Sequence, residues 1–358
     1  MPTGFCVIGA GNSGHAMAAD LALRGHEVRL WNRDAAKAEQ LRVLGGIRCT
    51  GVIEGFARLA DVTCDMGQCL SASQIVLVTV PAFGHADVAR AVAPHIRDEH
   101  ILVLNPGRTF GAMEVRNIIR SHRPDCHAII AETQTILYTC RMTELGHVTV
   151  YALKPEVGLA ALPGAATEDL AERLDEFFPA LSSCGSTANT GFNNMGAILH
   201  PVPTLMNVGW IESPRTAFRY YYEGITPTVA SVLELLDEER MAVGTAYGAD
   251  TQSLKHWLET TYAVQGESLY DCLQANEAYA YIDAPTSTRH RYILEDVPTG
   301  LVPIASFGEI AGVPTPCTDI MIDLASKVFR CDFRASGRTA ASLGLAGASV
   351  DDVVRGLG

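Results

Sequence analysis

The chain has 358 residues, of which 48% are hydrophobic and 19% charged, and its formal net charge is −13. This length favours two domains with a large core, and the composition is that of an ordinary soluble protein. The negative charge argues against a surface for nucleic acid or an anionic membrane, because both need clustered lysine and arginine. Local basic pockets for anionic ligands remain compatible with it.

The ten cysteines are scattered, without a Cys-x-x-Cys pair or the spacing of metal ligands. We therefore expect no metal site, no disulfide staples and a reducing, cytoplasmic setting. An apolar strand begins almost at Met1, which predicts that no signal peptide precedes it. The apolar run 75–80 has the length of a strand rather than of a membrane span.

The first half of the chain alternates between short apolar strands and helices. Strands are predicted at 4–10, 26–33, 74–81, 100–107, 127–133 and 147–153, and helices at 12–25, 34–45, 85–96, 111–122 and 167–179. Residues 47–65 interrupt this order as a hairpin-like insertion, and Asp34 is the expected N-cap of the second helix. Such alternation predicts a parallel sheet with helices on both faces.

After about residue 185 the pattern becomes mainly helical. Amphipathic segments are predicted at 227–247, 251–262, 267–281 and 315–330, with a short helix at 351–357. We therefore expect an α/β domain over 1–185, with a doubly wound and mostly parallel sheet, and an all-α domain over 186–358. A cleft between two such domains is a common place for a ligand.

A glycine-rich turn, Gly-Ala-Gly-Asn-Ser-Gly, joins the first strand to the first helix. Gly9 permits the tight turn, Gly11 lets the backbone approach a pyrophosphate, and Gly14 lets the helix pack close to the strand. The helix N-terminus, at Asn12 and Ser13, would offer N–H groups and a positive dipole end to phosphates. A generic glycine turn is the alternative, but the strand–turn–helix context predicts a Rossmann-like dinucleotide-binding domain.

The end of the second strand bears on which dinucleotide is bound. NAD-preferring sites usually place a carboxylate there for the ribose 2′-hydroxyl, whereas this chain has Asn32 and Arg33. The Asn32 amide can hydrogen-bond a phosphate oxygen, and the Arg33 guanidinium can pair with a 2′-phosphate. We therefore predict that NADP(H) is preferred over NAD(H). The alternative is that Arg33 is solvated and that Asp34 binds the ribose instead of capping the next helix.

Further loops follow the carboxyl ends of the strands, where ligands of open α/β sheets bind. The candidates for the nicotinamide side are Val80 and Pro81, Asn105 in an Asn-Pro-Gly turn, and Glu132. Each segment is equally compatible with ordinary turn chemistry.

A nicotinamide reaction needs a group that transfers a proton, and histidine suits this task because its unperturbed pKa is about 6.5. His200 ends the segment Asn-Asn-Met-Gly-Ala-Ile-Leu-His-Pro, near the presumed cleft, and His85 could approach the nicotinamide. A helix-terminal histidine favoured by the dipole is the alternative for His200. Surface roles suffice for six others, namely His15, His26, His95, His100, His122 and His127.

Residues 289–300 combine two arginines, a histidine and two adjacent carboxylates. A charged loop between helices would have this composition. A functional interpretation gives an arginine that binds a substrate carboxylate and an acid that orients a histidine.

Four sequence patterns together resemble the opine dehydrogenase family. They are the glycine-rich turn, the segments Asn-x-x-x-x-x-His-Pro at 194–201 and Leu-x-Asn-x-Gly-x-Ile-Glu at 205–212, and Arg-Tyr-Ile-Leu-Glu-Asp-Val-Pro-x-Gly-Leu-Val-Pro at 291–303. The resemblance covers nearly the whole chain. It implies that an amino acid and a 2-oxo acid, often pyruvate, form an imine that NAD(P)H reduces.

The resemblance also implies roles for individual residues. His200 is the expected acid/base, Asp296 sets its tautomer and raises its basicity, and Arg291 helps bind a substrate carboxylate. Asn194 contacts cofactor or substrate, or else caps the turn before His200. By analogy within the wider superfamily we expect a homodimer.

Two other classes of protein share this layout. Reductases of the ketopantoate, 3-hydroxyacid or glycerol-3-phosphate type commonly use a lysine as the acid, but the second domain has only Lys255 and Lys327, neither beside an asparagine-rich turn. A non-catalytic NADP(H)-binding sensor would need the glycine turn without the histidine–aspartate pair.

Overall fold

The computed structural model describes residues 3–214 and 217–357. The chain forms two compact units, of which the first runs to Gly191 and includes Leu357, and the second comprises Phe192–Gly356. They divide within the helix Thr187–Phe192, slightly after the expected boundary at 185. The hydroxyl of Thr187 donates to the carbonyl oxygen of Leu357, so the start of this helix is bonded to the first unit.

The first unit contains two sheets and the helices that cover them. The strands are β1 (Gly4–Ile8), β2 (Glu27–Trp31), β3 (Gly46–Gly51), β4 (Gly55–Arg58), β5 (Asp61–Thr63), β6 (Ile75–Val78), β7 (Ile101–Leu104), β8 (Ile129–Thr133), β9 (Tyr138–Glu144), β10 (His147–Leu153), β11 (Val157–Leu162) and β12 (Leu181–Ser183). The helices are α1 (Asn12–Leu23), α2 (Ala35–Leu44), α3 (Met66–Leu70), α4 (His85–Val92), α5 (Gly111–His122), α6 (Thr167–Asp175) and α7 (Thr187–Phe192).

The larger sheet has the strand order β12-β11-β8-β7-β6-β1-β2-β5. All neighbouring pairs are parallel except β8 and β11, so the predicted doubly wound, mostly parallel sheet is confirmed. The central strands β6 and β7 are buried at every residue, as expected for strands covered on both faces. The chain leaves β1 in one direction toward β2 and returns to its other side at β6, which creates a switch point at the carboxyl ends of β1 and β6.

The smaller sheet has the order β4-β3-β10-β9 and packs against α1. Strands β3 and β4 form the antiparallel hairpin predicted within 47–65, but β5 joins the larger sheet beside β2. The predicted strand 147–153 also belongs to the smaller sheet, parallel to β3. Strand β9 was not predicted, because it carries exposed polar residues and has little apolar signal of its own.

The second unit is helical, as predicted. Its helices are α8 (Met195–Leu199), α9 (Pro201–Met206), α10 (Val208–Ile211), α11 (Pro227–Ala246), α12 (Leu254–Tyr262), α13 (Leu269–Ala275), α14 (Arg291–Leu294), α15 (Val302–Ala311), α16 (Pro316–Phe329), α17 (Phe333–Ser336) and α18 (Val350–Leu357). A π-helical turn, Val297–Leu301, joins α14 to α15. None of the helices in the described parts of the chain is long and apolar enough to cross a membrane.

The single helix predicted over 267–281 is wrong. Ser268 begins α13 with a capping box to Asp271, but the helix ends at Ala275. The side chain of Asn276 then accepts the N–H of Ala278 and starts a separate short turn. Asparagine competes in this way for backbone groups, which interrupts an otherwise continuous apolar periodicity.

A buried ion pair anchors the longest helix of the second unit. Arg240 in α11 is fully buried, and its Nε and Nη2 atoms donate to Oδ1 of Asp237 at 2.9 and 2.7 Å. Two further guanidinium hydrogen bonds reach the carbonyl oxygens of Phe192 and Gln252, and Oδ2 of Asp237 accepts the N–H of Leu254 at 2.6 Å. The pair therefore ties two chain segments, at Phe192 and at 252–254, to α11.

We expect Arg240→Met to lower the free energy of unfolding by about 3–5 kcal/mol, because it leaves the Asp237 carboxylate buried without its counter-charge. Arg42→Met is the matched control, since Arg42 forms a similar pair with Glu39 at the surface and should cost less than about 1 kcal/mol. Urea unfolding followed by circular dichroism measures both. Equal losses in the two variants would contradict the assigned role of burial.

Candidate active site

The glycine-rich turn of the first unit has the geometry of a phosphate-binding turn. Gly9 has a φ of +109°, and a Cβ atom there would lie 2.8 Å from Cγ1 of Val80. A Cβ at Gly14 would lie 1.7 Å from the carbonyl oxygen of Gly9, so close packing of α1 on β1 requires glycine. At Gly11, by contrast, no atom lies within 4 Å of the position that a Cβ would take. This residue is the N-cap of α1. A pyrophosphate fits this open space at the start of α1.

The first side chains of α1 contact the smaller sheet. Oδ1 of Asn12 accepts the N–H of Met142 in β9 at 3.0 Å. The hydroxyl of Ser13 hydrogen-bonds the thiol of Cys140, and burial raises the pKa of that thiol to about 11. The two side chains thus fix the start of α1 against β9. Their predicted contribution to the cofactor site is therefore one of backbone N–H groups.

At the end of β2 the local hydrogen bonds assign Asp34 to the next helix. One carboxylate oxygen of Asp34 accepts the N–H groups of Ala36 and Lys37 at 3.0 and 3.1 Å, which confirms the predicted N-cap of α2. Oδ1 of Asn32 accepts the N–H of Asp34 at 3.2 Å, and Arg33 is exposed to solvent. The cap occupies the carboxylate that the alternative interpretation gave to the ribose.

The loops after β6, β7 and β8 contain the other predicted cofactor residues. Pro81 precedes a 3-10 turn that leads into α4, with Val80 half-buried before it and His85 buried at the first residue of α4. Nδ2 of Asn105 donates to the hydroxyl of Thr133 at 3.0 Å, which links the ends of β7 and β8. These side chains lie at the edge of the sheet where the prediction put them, and their contact with a cofactor stays a prediction.

Glu132 lies at the same edge but is fully buried. Its Oε2 atom accepts the N–H of Ala112 in α5 at 2.7 Å, and its Oε1 atom accepts the hydroxyl of Thr190 in α7 at 2.6 Å. A carboxylate near the N-terminus of α5 is favoured by the helix dipole. Both oxygens of Glu132 therefore hold protein groups, and its predicted contact with the cofactor remains untested.

Two histidines expected at the surface lie in the interior. His15 is fully buried, with Nδ1 3.0 Å from the carbonyl oxygen of Gly11 and Nε2 accepting the N–H of Gly146 at 3.1 Å. Burial lowers the pKa of His15, in keeping with a neutral ring whose proton is on Nδ1. His100 is also buried, and its Nδ1 atom accepts the N–H of Arg97. Each ring satisfies buried backbone groups, which the sequence pattern did not reveal.

His200 and Asp296 of the second unit form a buried pair. His200 lies between α8 and α9, where Pro201 has no N–H and cannot continue the first helix. Asp296 lies between α14 and the π-helical turn. Nδ1 of His200 is 2.7 Å from Oδ2 of Asp296, and the side chains are 13% and 0% exposed, respectively. The fold thus brings two residues that lie 96 positions apart in the chain into contact.

Aromatic side chains that the sequence analysis did not select surround this pair. The Tyr292 ring stacks on the His200 imidazole with 4.2 Å between centroids and an interplanar angle of 18°. The Tyr220 hydroxyl donates to the backbone carbonyl of His200 at 2.7 Å, and burial raises the pKa of Tyr220 so that its proton is retained. His290 contacts the edge of Tyr292. The one available signal was the position of Tyr292 four residues before Asp296, one helical turn away.

This geometry suits the pair to proton transfer. A neutral His200 that donates its Nδ1 proton to Asp296 presents Nε2 as a base, and a protonated His200 presents Nε2–H as an acid. The tautomer follows from the acceptor, because an ionised carboxylate can only accept at Nδ1. The carboxylate also stabilises the imidazolium once it forms.

The two predicted substrate residues differ in their surroundings. Arg291 is 46% exposed, with Nε 3.7 Å from Oε2 of the buried Glu295, so its guanidinium is tethered at the surface of α14. Asn194 is buried and lies at the N-cap position of α8, but its side chain makes no capping hydrogen bond there. The capping alternative for Asn194 is therefore wrong. The neighbouring Asn193 instead bonds the backbone of Asp250 and Gln252.

The turn of the first unit and the buried pair of the second define a nicotinamide-dependent oxidoreductase, and comparison with known proteins supports this class. The model for the NAD-dependent glycerol-3-phosphate dehydrogenase N-terminus matches residues 4–106. The model for the NAD/NADP octopine/nopaline dehydrogenase alpha-helical domain matches residues 183–329.

The opine dehydrogenase of Arthrobacter sp. (strain 1C) is 38% identical over 344 residues, which cover 96% of this chain and 95% of that protein. The chain therefore belongs to the opine dehydrogenase family. Octopine dehydrogenase with NADH and L-arginine has the same fold, with a TM-score of 0.85 at 22% identity, covering 99% of this chain and 98% of that one. Its structure with NADH and pyruvate gives 0.83 at 21% identity with the same coverage.

We expect Tyr292→Leu to lower kcat roughly tenfold, because loss of the stacked ring frees the His200 imidazole to leave its productive orientation. Tyr292→Phe keeps the ring and should retain most of the activity. Steady-state kinetics with NAD(P)H separates kcat from KM, and the cofactor Kd should stay unchanged in both variants. Tyr281→Leu removes an exposed tyrosine of the same unit as a control. Equal kcat in Tyr292→Leu and the wild type would show that stacking does not orient the histidine.

Proposed function

We propose that the protein catalyses the NAD(P)H-dependent reductive condensation of an amino acid with a 2-oxo acid, and the reverse oxidation of the resulting opine. The observation that carries this proposal is the buried His200–Asp296 contact of 2.7 Å in a chain of this family. The related octopine dehydrogenase has been seen with L-arginine and with pyruvate, which supports these two classes of substrate.

In this reaction the amine nitrogen attacks the oxo carbon, water leaves, and an imine protonated on nitrogen forms, so that hydride addition to its carbon gives the neutral secondary amine. When bound at the glycine-rich turn, NAD(P)H would supply the hydride that reduces the imine carbon. His200 donates the proton from Nε2 that helps the oxo oxygen leave as water, and Asp296 holds the imidazolium through Nδ1. In the oxidative direction neutral His200 accepts the proton of the secondary amine. Arg291 offers a guanidinium fork to a substrate carboxylate, and Asn194 contributes amide hydrogen bonds.

We also propose that residues 1–185 hold the cofactor, that residues 186–358 carry the acid/base pair, and that the chain works as a cytoplasmic homodimer. The open space at Gly11 supports the first assignment, and the His200–Asp296 pair supports the second. The dimer rests on analogy with related enzymes. Light scattering after size-exclusion chromatography determines the number of chains.

The test of the activity is an NADPH-oxidation screen of amino acids against pyruvate, glyoxylate and 2-oxoglutarate. Oxidation should require both substrates, and His200→Ala or Asp296→Ala should lower kcat by about two to four powers of ten. Fluorescence titration should show the NADPH Kd nearly unchanged, and His95→Ala serves as a control because His95 is an exposed histidine of the first unit.

Other outcomes would favour other functions. Oxidation with a 2-oxo acid alone would indicate a reductase of the ketopantoate type, and cofactor binding without turnover of any pair would indicate a sensor. Near-normal turnover in both the His200 and the Asp296 variants would remove the assigned acid/base pair.

We propose that NADP(H) is the preferred cofactor. Arg33 is exposed at the end of β2, Asn32 lies beside it, and the Asp34 carboxylate is occupied by the cap of α2. A 2′-phosphate would therefore meet a guanidinium and an amide without a carboxylate that competes for the ribose.

Arg33→Ala should raise the KM for NADPH roughly tenfold and leave the KM for NADH nearly unchanged, because only NADPH carries the phosphate that the guanidinium pairs with. Arg42→Ala, which removes an exposed arginine of α2 paired with Glu39, should change neither value. A wild-type preference for NADH would overturn the assignment.

A further inference from the structure

Two cationic side chains lie at the carboxyl edge of the larger sheet, outside the His200–Asp296 pair. Lys154 directly follows β10, and its Nζ atom donates to the hydroxyl of Thr135 at 2.6 Å. Its backbone N–H donates to the carbonyl oxygen of Leu137, which fixes the residue in place. Arg108 follows the turn at Asn105 and is only 9% exposed. Neither residue was selected from the sequence as part of a site.

Within the described part of the chain, Lys154 has no carboxylate partner to compensate its charge. Burial, followed by the positive charge of Arg108, lowers the pKa of Lys154 to about 8. Among residues 3–214 and 217–357 no carboxylate forms an ion pair with its ammonium group. A half-buried ammonium that is protonated at neutral pH loses part of its hydration, and an anion beside it offsets that cost. Lys154 is therefore suited to receive an anionic group from a ligand.

A chain of hydrogen bonds places Lys154 at the ends of β7 and β8. Nδ2 of Asn105 donates to the Thr133 hydroxyl, which donates to the carbonyl oxygen of Thr135 at 2.8 Å, and the Thr135 side chain accepts from Lys154. In the sheet β8 is three strands from β1 and four from β2. At about 4.8 Å per strand these steps are about 14 and 19 Å.

These distances indicate which anionic group of a ligand lies close enough to Lys154 to bind it. A dinucleotide whose pyrophosphate lies on the turn after β1, and whose ribose phosphate lies at the end of β2, has no phosphate within hydrogen-bond reach of Lys154. The carboxylates of the substrates are the remaining anions of the reaction. The condensation product carries one from each substrate, so a single cationic side chain such as Arg291 cannot neutralise both.

We propose that Lys154, together with Arg108, binds a carboxylate of the amino acid or of the 2-oxo acid. The identity of these substrates rests on the proposed function. The Thr135 hydroxyl orients the ammonium group toward the ligand, and the Arg108 guanidinium adds a second positive charge.

The test compares Lys154→Met, Lys154→Arg and the control Lys327→Met, which removes an exposed lysine of the second unit. We expect Lys154→Met to raise the KM of one substrate roughly ten- to hundredfold, the value for a lost charged hydrogen bond. The substrate whose KM rises is the source of the carboxylate. Lys154→Arg should recover part of the loss, and the NADPH Kd should change less than about twofold in all variants.

Two direct measurements separate this proposal from the proposed function. Oxamate and L-alanine are titrated into the protein–NADPH complex and followed by NADPH fluorescence, which needs no turnover. Binding of either probe that is lost in Lys154→Met supports the site even if no substrate pair is turned over. Unchanged KM values and unchanged probe binding in Lys154→Met, no probe binding by the wild type in the absence of turnover, or a matching loss of NADPH affinity would each overturn it. The melting temperature of Lys154→Met should equal or exceed that of the wild type, because methionine removes a half-buried charge that no described carboxylate compensates.

Discussion

The hydrogen bond between His200 and Asp296 is the interaction on which the candidate site of the second unit depends. This hydrogen bond serves proton transfer only under two conditions. The carboxylate must be buried, so that its electrostatic attraction for the imidazole is strong, and the imidazole ring must be held in one orientation. Asp296 meets the first condition with a fully buried side chain. The orientation of the His200 ring is held by the helix break at Pro201, by the stacked Tyr292 ring and by the Tyr220 hydroxyl, which bonds the His200 carbonyl oxygen. The pair is therefore held from both the side chain and the main chain.

The first unit satisfies a different constraint at the carboxyl edge of its sheet. Buried polar groups at this edge need hydrogen-bond partners, and several of them bond one another within the protein. Glu132 joins the start of α5 to Thr190, and Asn105 joins the ends of two strands through Thr133. Lys154 differs from them, since its ammonium has a hydroxyl partner but no counter-charge among the residues that the structure describes. The contrast between paired and uncompensated groups separates the scaffold from the proposed binding group.

The features that could be predicted from the sequence are those that depend on residues close together in the chain. The roles of the glycines at 9, 11 and 14 follow from local geometry, and the cap at Asp34 follows from one helical turn. Strand β9 was missed because its exposed face carries no apolar signal, and Tyr292 and Lys154 were missed because their roles depend on residues distant in the chain. The pairing of His200 with Asp296 was reached only through the family resemblance, since residue spacing alone cannot bring two segments 96 positions apart into contact.

The net charge of −13 raises the question of how such a protein can bind substrates and a cofactor that all carry anionic groups. Screening answers it, because the Debye length is about 8 Å at physiological ionic strength and distant surface carboxylates contribute little beyond it. Binding is then decided by the cations within that radius. Arg33 at the end of β2, the buried Arg108 and the half-buried Lys154 near the end of β8 are such cations. Arg108 and Lys154 act through a lower effective dielectric than the exposed carboxylates do. A few well-placed positive charges can therefore outweigh an acidic total.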